Sequence, residues 1–395
     1  MSERGRVCLF ATYLWPQFAD EPLPFAGGAE TQQAGIARGL ARAGFDVVVA
    51  TCDFGQGRRV EREGITFIAT HPPFSGIPVL RFFHPRMTGN LRALNAADAD
   101  VYYARAAGLP AGIAYDVARA RGAAFVYAAA HDTDAERDLP LLASPRDRWW
   151  YKRALLGADA VIAQTQHQHD RFRSEFGRDS VVIPNLVEMP REVSAAPGLP
   201  AGGAVVWLST YKDSKRPGWF IELARRHPES RFVMVGVVPP PPLTPREWEQ
   251  AQSAARGLPN LEVRGHLEHG RVGELFREAS LFVQTSSAEG FPNTLLEAWA
   301  HGVPAITAFD PDGVVAHFGL GEVASTLEAM DAALTRWIPD PATRGRAGRA
   351  ARAYVDTHHA PDAVIGKLAG LFDRLIAAHG RNGRHVAERK PASAT

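Results

Sequence analysis

Short apolar segments alternate with amphipathic segments along most of the chain, and this alternation constrains the fold more than any other feature. The apolar segments are continuous, as in Val7–Thr12 and Leu281–Thr285, and do not alternate with polar residues. A strand that is apolar on both faces is covered by helices on both faces, an arrangement typical of parallel sheets. The sequence therefore predicts an α/β fold.

A stretch rich in Pro, Gly and Ala, Glu188–Gly203, divides this pattern into two halves and predicts a linker between domains. The strands predicted before it are Val7–Thr12, Asp46–Thr51, Ile65–Ala69, Asp100–Tyr103, Ala124–Ala129, Ala160–Gln164 and Val181–Ile183. The strands predicted after it are Ala204–Leu208, Arg231–Val235, Leu261–Val263, Leu281–Thr285 and Pro304–Thr307. We therefore expect domains at residues 1–190 and 203–360, a final helix at 361–379 and a disordered tail at 380–395.

The helices predicted between these strands complete the pattern. In the first half they are Thr31–Ala43, Ala111–Arg121, Arg146–Leu156 and Gln168–Phe176. In the second half they are Pro217–Arg226, Pro245–Ala255, Val272–Ala279, Asn293–His301, Met330–Trp337, Thr343–Thr357 and Pro361–Ala378. Ligands of open parallel sheets bind outside the carboxyl ends of the strands, so we expect the site in a cleft between two facing sheets.

Composition narrows the function classes. The 395 residues carry 44 Lys and Arg against 43 Asp and Glu, a net charge of +1, which argues against a dedicated nucleic-acid binder. The two cysteines, Cys8 and Cys52, exclude a disulfide scaffold. The apolar run Val7–Tyr13 is too short for a leader or a membrane span. We expect a cytoplasmic protein, with attachment to the inner face of a membrane left open.

Two segments could bind phosphate groups. Gly27-Gly28-Ala29-Glu30 precedes a predicted helix, where close backbone approach and helix N-terminal amides suit an anion. The alternative is a flexible loop with Glu30 favourable in the first turn of the helix. The second segment, Ser209–Arg216, follows a strand and carries Lys212, Lys215 and Arg216, which could neutralise a diphosphate or form a solvated loop.

The third segment, Glu289–Glu297, is the most informative. It follows a predicted strand and contains Pro292, which suits the start of a helix, with Asn293 and Thr294 behind it. Glu289 lies just before that helix and Glu297 lies inside it. Carboxylates accept hydrogen bonds from vicinal hydroxyls well, so both could bind a polyol ligand; the alternatives are a loop charge and a helix-dipole glutamate.

These residues resemble those of the retaining family 4 glycosyltransferases, whose fold is GT-B, with two Rossmann-like domains facing across a cleft. The E-x7-E motif fits Glu289 and Glu297. The resemblance extends to about Ala378. It implies an acceptor-side domain at residues 1–190, a nucleotide-sugar-binding domain at 203–360 and a final helix at 361–379 that crosses back to the N-terminal domain. The other matching segments are Gly27–Glu30, Gly157–Ala163, Ile183–Asn185, Lys215–Pro217, Met234–Gly236 and Ala300–Pro304.

The resemblance implies a role for each matching residue. Glu297 would hold the ribose of a nucleotide-sugar donor, Glu289 the transferred sugar, and Lys215 the diphosphate. His131 would lie near the reaction centre. The other donor-binding residues implied are Gly27, Gly28, Thr210, Arg216, Arg264, Gly265, His266, Leu267, Phe291, Pro292, Asn293, Thr294 and Leu295. Thr210 replaces an arginine common in the family, so Lys212 or Arg216 would take over its contact.

The implied activity is transfer of a sugar from a nucleotide diphosphate donor to a hydroxyl of a sugar, lipid-linked or other acceptor. The anomeric configuration would be retained, without a metal or cofactor, in polysaccharide, glycolipid or other glycoconjugate synthesis. Domain closure over the donor would exclude water. The alternatives are a nucleotide-sugar epimerase on the same fold, which needs a general acid and base, and a non-catalytic two-lobed sugar binder.

Other motifs compete less well. The triplets Asp98/Asp100, Asp132/Asp134 and Asp310/Asp312 could hold a metal on a diphosphate, but chance triplets are expected in a chain with this many acidic residues. Gly319–Ala324 fits a dinucleotide-binding pattern, yet it does not follow the first strand of either sheet. Leu80–Arg92 mixes aromatic and basic residues, so it predicts either a membrane-facing segment or a partly buried loop and helix.

Overall fold

The computed structural model describes residues 4–20, 27–73, 75–76, 82–190, 203–238, 245–265, 267, 271–287 and 289–379. The chain divides into two compact units. The N-terminal unit consists of Met1–Leu186 together with Pro361–Thr395, and the C-terminal unit of Val187–Ala360. Most of the predicted linker, residues 191–202, and the predicted disordered tail, residues 380–395, lie outside the described residues.

The N-terminal unit is built on an eight-stranded sheet with the strand order β3-β4-β2-β1-β5-β6-β7-β8. Its strands are β1 (Arg4–Phe10), β2 (Phe45–Thr51), β3 (Arg59–Arg62), β4 (Ile65–Ala69), β5 (Val101–Arg105), β6 (Ala124–Ala128), β7 (Ala160–Ala163) and β8 (Val181–Val182). Neighbouring strands pair in parallel except β3, which is antiparallel to β4. The predicted parallel α/β architecture is confirmed.

Helices cover both faces of this sheet, as the continuous apolar strands predict. They are α1 (Gly28–Arg42), α2 (Thr88–Ala97), α3 (Leu109–Arg121), α4 (Pro145–Gly157), α5 (Gln166–Phe176) and, from the end of the chain, α13 (Pro361–Ala378). In β1, Val7 and Leu9 belong to one core, whereas Cys8 and Phe10 belong to the core on the opposite face. Burial raises the pKa of the Cys8 thiol to about 12, so this cysteine is an inert core residue.

The last helix, α13, packs against the N-terminal unit. The Phe372 ring lies 6.2 Å from that of Phe45 and 6.3 Å from that of Tyr103. At Gly39 of α1 a Cβ atom would lie only 2.4 Å from Ile365, so the absence of a side chain lets the two helices approach closely. The chain therefore returns to complete the first core after building the second unit.

The C-terminal unit has a six-stranded parallel sheet with the order β11-β10-β9-β12-β13-β14. Its strands are β9 (Ala204–Thr210), β10 (Phe232–Val237), β11 (Leu261–Arg264), β12 (Ala279–Gln284), β13 (Ala305–Thr307) and β14 (Gly321–Val323). Its helices are α6 (Pro217–Arg226), α7 (Arg246–Gly257), α8 (Val272–Glu278), α9 (Asn293–Ala300), α10 (Val314–Phe318), α11 (Leu327–Trp337) and α12 (Pro341–His358). Cores on both faces again bury the apolar strands.

Several short strands and helices that the structure contains were not predicted from the sequence. The edge strands β3 and β14 and the helices α2 and α10 were not predicted as such. The dinucleotide-like pattern at Gly319–Ala324 has a backbone role, because Gly319 ends α10 with φ at +66°. A Cβ at Gly321 would lie 1.8 Å from the Ala305 carbonyl oxygen. The prediction of Pro245 in the first turn of α7 is wrong, since Pro245 is extended and precedes the helix.

None of the helices in the described ranges is long and apolar enough to cross a membrane.

Candidate active site

The carboxyl ends of β9 and β12 lie side by side in the C-terminal sheet, and hydrogen bonds join the loops that follow them. The buried Trp207 indole donates to Thr285 Oγ1 at 2.9 Å, and that hydroxyl in turn donates to the carbonyl oxygen of Lys215. The Ser287 amide donates to the Ser214 carbonyl oxygen at 3.0 Å. The loop that carries Lys215 is thereby fixed against the loop that carries Glu289.

The two charged side chains predicted on these loops meet. Lys215 Nζ contacts Glu289 Oε1, and the Ser286 hydroxyl donates to the same carboxylate oxygen at 2.8 Å. Both side chains are about four-fifths buried, with 20% and 18% of their surface exposed. An ion pair that is withdrawn from water but still reachable presents one cation and one carboxylate to a ligand at a single point.

Glu297 lies in the helix that follows β12. Pro292 is extended, with φ −66° and ψ 122°, and α9 begins at Asn293, so Glu297 falls just beyond its first turn. The residue keeps partial solvent access, whereas burial around its carboxyl raises the pKa to about 7. Hydrogen-bond donors of a ligand stabilise such a poorly hydrated carboxylate more than they stabilise an exposed one.

Three residues predicted beside Glu297, namely Phe291, Thr294 and Leu295, can offer backbone groups or a helix-start amide to a ligand. Phe291 is buried against the rings of Trp299 and His359, at 6.2 and 5.0 Å. Leu295 is also fully buried. These two side chains are therefore part of the core, and any ligand contact from them comes from the backbone. The Leu295 amide donates to the Pro292 carbonyl oxygen at 3.2 Å. The amide of Thr294, earlier in the same turn, has no acceptor within the helix.

The remaining cations of the first loop differ in their surroundings. The Arg216 guanidinium stacks on the Trp219 ring, 4.5 Å from its centroid, and its backbone adopts a left-handed conformation with φ at +46°. Lys212 is exposed. Thr210, which replaces the family arginine, is the last residue of β9. Hence Lys215 is the cation that the fold holds against an acidic partner in this loop.

At the end of β11, Arg264 is engaged in an ion-pair network. Its guanidinium pairs with Glu262 at 2.7 Å and with Glu278, and Arg231 contacts the same two carboxylates. Hydrogen bonds from Arg264 lower the pKa of Glu262 to about 2. The Arg264 side chain therefore stabilises this edge of the sheet, which the sequence did not predict.

The residues that follow Arg264 are only partly described. At Gly265 a Cβ atom would lie 4.0 Å from the Trp248 ring, an ordinary van der Waals contact. Leu267 is partly buried against the core. His266 lies outside the described residues.

In the N-terminal unit, the glycine segment opens α1. Gly27 is the N-cap residue and Gly28 the first helical residue. The Glu30 carboxylate accepts hydrogen bonds from the backbone of Gly27 and from its own amide; burial raises the pKa of this carboxyl and those bonds oppose the shift. Glu30 therefore occupies amides that the sequence assigns to a phosphate.

His131 caps a short 3₁₀ turn, Asp132–Ala135, after β6. Its Nδ1 accepts from the Thr133 amide at 3.2 Å, so the neutral ring carries its proton on Nε2. The buried Asp134 accepts from the backbone amides of Ala130 and His131 and from the Tyr127 hydroxyl. This network fixes the orientation of the histidine. From the sequence, Asp134 was considered only as part of the Asp132/Asp134 triplet, and the network was not predicted.

The aspartate triplets have structural partners. Asp98 pairs with Arg121, and Asp100 accepts from the Arg6 amide at 2.7 Å. Asp310 accepts from amides at the start of α10. In the part of the chain that the structure describes, no three His, Cys, Asp or Glu side chains come together as metal ligands do.

Two parallel-sheet α/β units in one chain are the architecture of the GT-B fold. The family model described as Glycosyltransferase Family 4 matches residues 26–191, and that described as Glycosyl transferases group 1 matches residues 205–354. Together they cover most of the chain, which belongs to the family 4 type of glycosyltransferases. Comparison with curated protein sequences found no match.

Solved structures share the fold at low sequence identity. Sucrose-phosphate synthase from Thermosynechococcus elongatus has a TM-score of 0.77 and 19% identity, over 95% of this chain and 100% of that one. Anabaena HepE in complex with UDP has a TM-score of 0.68 and 16% identity, over 93% and 100%. A glycosyltransferase from Rickettsia africae has a TM-score of 0.69 and 14% identity, over 94% and 99%.

Proposed function

We propose that this glycosyltransferase moves a sugar from a nucleotide diphosphate donor to an acceptor hydroxyl with retention of configuration and without a metal or cofactor. The observation that carries the proposal is the buried Lys215–Glu289 pair at the carboxyl ends of β9 and β12, with the desolvated Glu297 on the next helix. Structures of HepE with UDP and with UDP-glucose support a nucleotide-sugar donor for this fold.

Each group of the C-terminal unit has a part in this scheme. Glu297 binds the ribose hydroxyls, and the first amides of α9 bind the diphosphate together with Lys215. Glu289 then binds hydroxyls of the transferred sugar. Donor binding replaces the Lys215–Glu289 contact with an ionic contact between Lys215 and the diphosphate and with hydrogen bonds from sugar hydroxyls to Glu289. These new contacts offset the cost of separating the pair.

The positive charges near the diphosphate determine how the transfer step proceeds in this proposal. The bond between the anomeric carbon and the diphosphate oxygen breaks while the acceptor oxygen bonds to that carbon from the same face. The acceptor proton passes to the leaving phosphate. Lys215 and helix amides stabilise the negative charge that develops on the diphosphate, a contribution that needs no metal.

Groups of the N-terminal unit complete the proposal. His131 offers its Nε2 proton to a hydroxyl of the sugar, because Nδ1 already accepts from Thr133. Gly27 and Gly28 offer backbone amides to phosphate once Glu30 turns away from them. Replacing Glu30 by Gln tests this step: the weaker internal acceptor should leave the loop more available, and the donor KM should fall.

In the proposed function the N-terminal unit receives the acceptor, and this unit includes a surface suited to lipid. Phe83 and Trp149 are 65% and 59% exposed, and the Arg146 guanidinium lies 3.9 Å from the centre of the neighbouring Phe82 ring. Aromatic rings flanked by cations favour the interface of an anionic membrane. We therefore include in the proposal a cytoplasmic protein with peripheral membrane contact and a lipid-linked acceptor.

Two of the arginines that the sequence assigned to this surface differ in their situation. Arg92 donates to the carbonyl oxygens of Ala69 and Thr70 and serves the fold, and Arg81 lies outside the described residues. Cosedimentation with vesicles containing phosphatidylglycerol tests the surface. Phe83→Ser with Trp149→Ser should reduce binding, and Val323→Ser, an exposed residue of the other unit, should not.

Ligand-dependent thermal unfolding tests the donor. Ligands that bind only the folded state raise the melting temperature, so a panel of nucleoside diphosphates should identify the base. Wild-type protein should respond to one nucleotide, and Lys215→Met should lose that response. Product analysis then separates transfer from its alternative, since accumulation of an epimerised donor without transfer would contradict the proposal.

A further inference from the structure

The segment before α2 holds polar groups that the donor site does not use. The first turn of α2 rests on the residue that follows β4: a Cβ at Gly89 would lie 2.4 Å from the Thr70 carbonyl oxygen. Arg92 Nη2 donates to the same oxygen at 2.8 Å. These contacts fix the segment Phe83–Met87 beside the carboxyl end of β4.

Arg86, in that segment, is partly buried. In the part of the chain that the structure describes, its guanidinium makes no ion pair, and its Nε atom is buried without a hydrogen bond. One turn further along, the buried Asn90 side chain also has a carbonyl oxygen without a partner. Polar groups that are desolvated without a partner cost free energy, so they are retained where a ligand supplies the partner.

The surroundings of Arg86 place its charge at the carboxyl edge of the N-terminal sheet. The side chains that its charge influences are Tyr13, Cys52 and His71, which follow β1, β2 and β4. Burial is the main influence on all three pKa values: it raises those of Tyr13 and Cys52 and lowers that of His71. Ligands of parallel sheets bind at this edge, so the unpaired guanidinium lies where a substrate of this unit would bind.

Other arginines of the same unit show the contrast. Arg38 pairs with Glu63 at 2.6 Å, and Arg6 pairs with Asp46 at 2.6 Å. Each has a carboxylate that neutralises it within the fold. Arg86 is also partly exposed, but among the described residues no carboxylate pairs with it, so we expect the anion to come from a ligand.

We propose that Arg86 binds an anionic group, phosphate or carboxylate, carried by the hydroxyl-bearing acceptor of the transfer reaction. A guanidinium offers two parallel donors that match either group, which would orient the acceptor as well as hold it. This inference rests on the proposed function, in which the N-terminal unit receives the acceptor.

Anion-dependent thermal unfolding at constant ionic strength tests the inference. The probes are inorganic phosphate and glucose 6-phosphate for one source, and acetate and glucuronate for the other. Because phosphate can also bind beside Lys215, each titration is repeated with saturating nucleoside diphosphate. Wild type is compared with Arg86→Gln, with Arg86→Lys, and with Arg119→Gln, which removes an exposed arginine of the same unit.

We expect a saturable rise in melting temperature with one of the two series, retained when nucleotide is bound. Arg86→Gln should weaken the apparent affinity by about tenfold or more, Arg86→Lys by less, and Arg119→Gln not at all. Equal responses of wild type and Arg86→Gln, or no saturable response to either series, would overturn the inference. Nucleotide binding measured on the same samples tests the proposed function separately, because it does not depend on Arg86.

Discussion

The Lys215 ammonium and the Glu289 carboxylate form an ion pair although 73 residues separate them along the chain. The pair exists because β9 and β12 are neighbours in the C-terminal sheet and the loops at their ends are joined through Thr285. Each partner is therefore the counterion of the other, and in the proposed function each also binds the donor.

A double-mutant cycle measures this dependence. Lys215→Met leaves the largely buried Glu289 without its cation, and Glu289→Gln leaves Lys215 without its anion, so each single variant should lower stability by about 1–3 kcal/mol. The double variant should be less destabilised than the sum of the two, because no unpaired charge remains. Denaturant unfolding measures all four proteins, and strictly additive effects would show that the two groups do not interact.

The raised pKa of Glu297 makes the stability of the protein depend on pH. Burial raises this pKa from 4.5 to about 7, so the folded protein holds the proton more tightly than the unfolded chain. The stabilising contribution is complete below pH 4.5 and is lost as pH rises through 7. At pH 8, Glu297→Gln should therefore be more stable than wild type by about 1–3 kcal/mol.

The same substitution should have little effect at pH 5, where the wild-type carboxyl is already protonated. Thermal unfolding at both pH values checks this expectation. The control is Glu328→Gln at an exposed position, whose stability relative to wild type should be the same at both pH values. The kinetic counterpart is a donor KM that rises as pH falls below 7, because the ribose hydroxyls donate to the ionised carboxyl. A stability difference between Glu297→Gln and wild type that does not change with pH would contradict the assignment.

The sequence predicted the buried central strands better than the strands at the edges of the sheets. Continuous apolar runs such as Val7–Thr12 signal strands buried on both faces, and the structure contains them within a few residues. The edge strand β3, with Arg59 and Glu61 exposed, has no such signal. Strand β14 is three residues long and is recognised only by its pairing with β13.

The candidate site was predicted residue by residue, but not as a set of contacts. Motif spacing indicated Lys215 and Glu289 separately, whereas their pairing depends on the strand order, which the sequence does not state. Phe291 and Arg264 were assigned to the donor because the resemblance to the family 4 glycosyltransferases implies that role. In the structure the Phe291 side chain packs in the core and the Arg264 side chain joins an ion-pair network. The direction of a side chain depends on neighbours that are distant in sequence, so the sequence did not indicate these contacts.

The return of α13 to the N-terminal unit should be essential for the first core. Phe372 is fully buried among residues of that unit, so Phe372→Ala should lower stability by about 3–5 kcal/mol through lost burial and the resulting cavity. Lys367→Ala, an exposed position of the same helix, should have little effect. Denaturant unfolding followed by circular dichroism compares the two variants, and similar midpoints would show that α13 contributes little.

Activity should survive removal of divalent cations. The proposed charge stabilisers are Lys215 and the first amides of α9. In the triplets considered as metal ligands, Asp98, Asp100, Asp134 and Asp310 have partners within the fold. Asp134 in particular is buried and accepts from two backbone amides and a tyrosine, so it cannot leave for a metal without breaking that network. The initial rate of transfer, measured with excess EDTA and again with added Mg²⁺ or Mn²⁺, should therefore change less than about twofold, well below what loss of a charge stabiliser costs. A rate that collapses with EDTA and returns with Mn²⁺ would mean that the metal stabilises the diphosphate. In that case Asp310→Asn, which alters the triplet nearest the end of β13, should mimic the effect of the chelator.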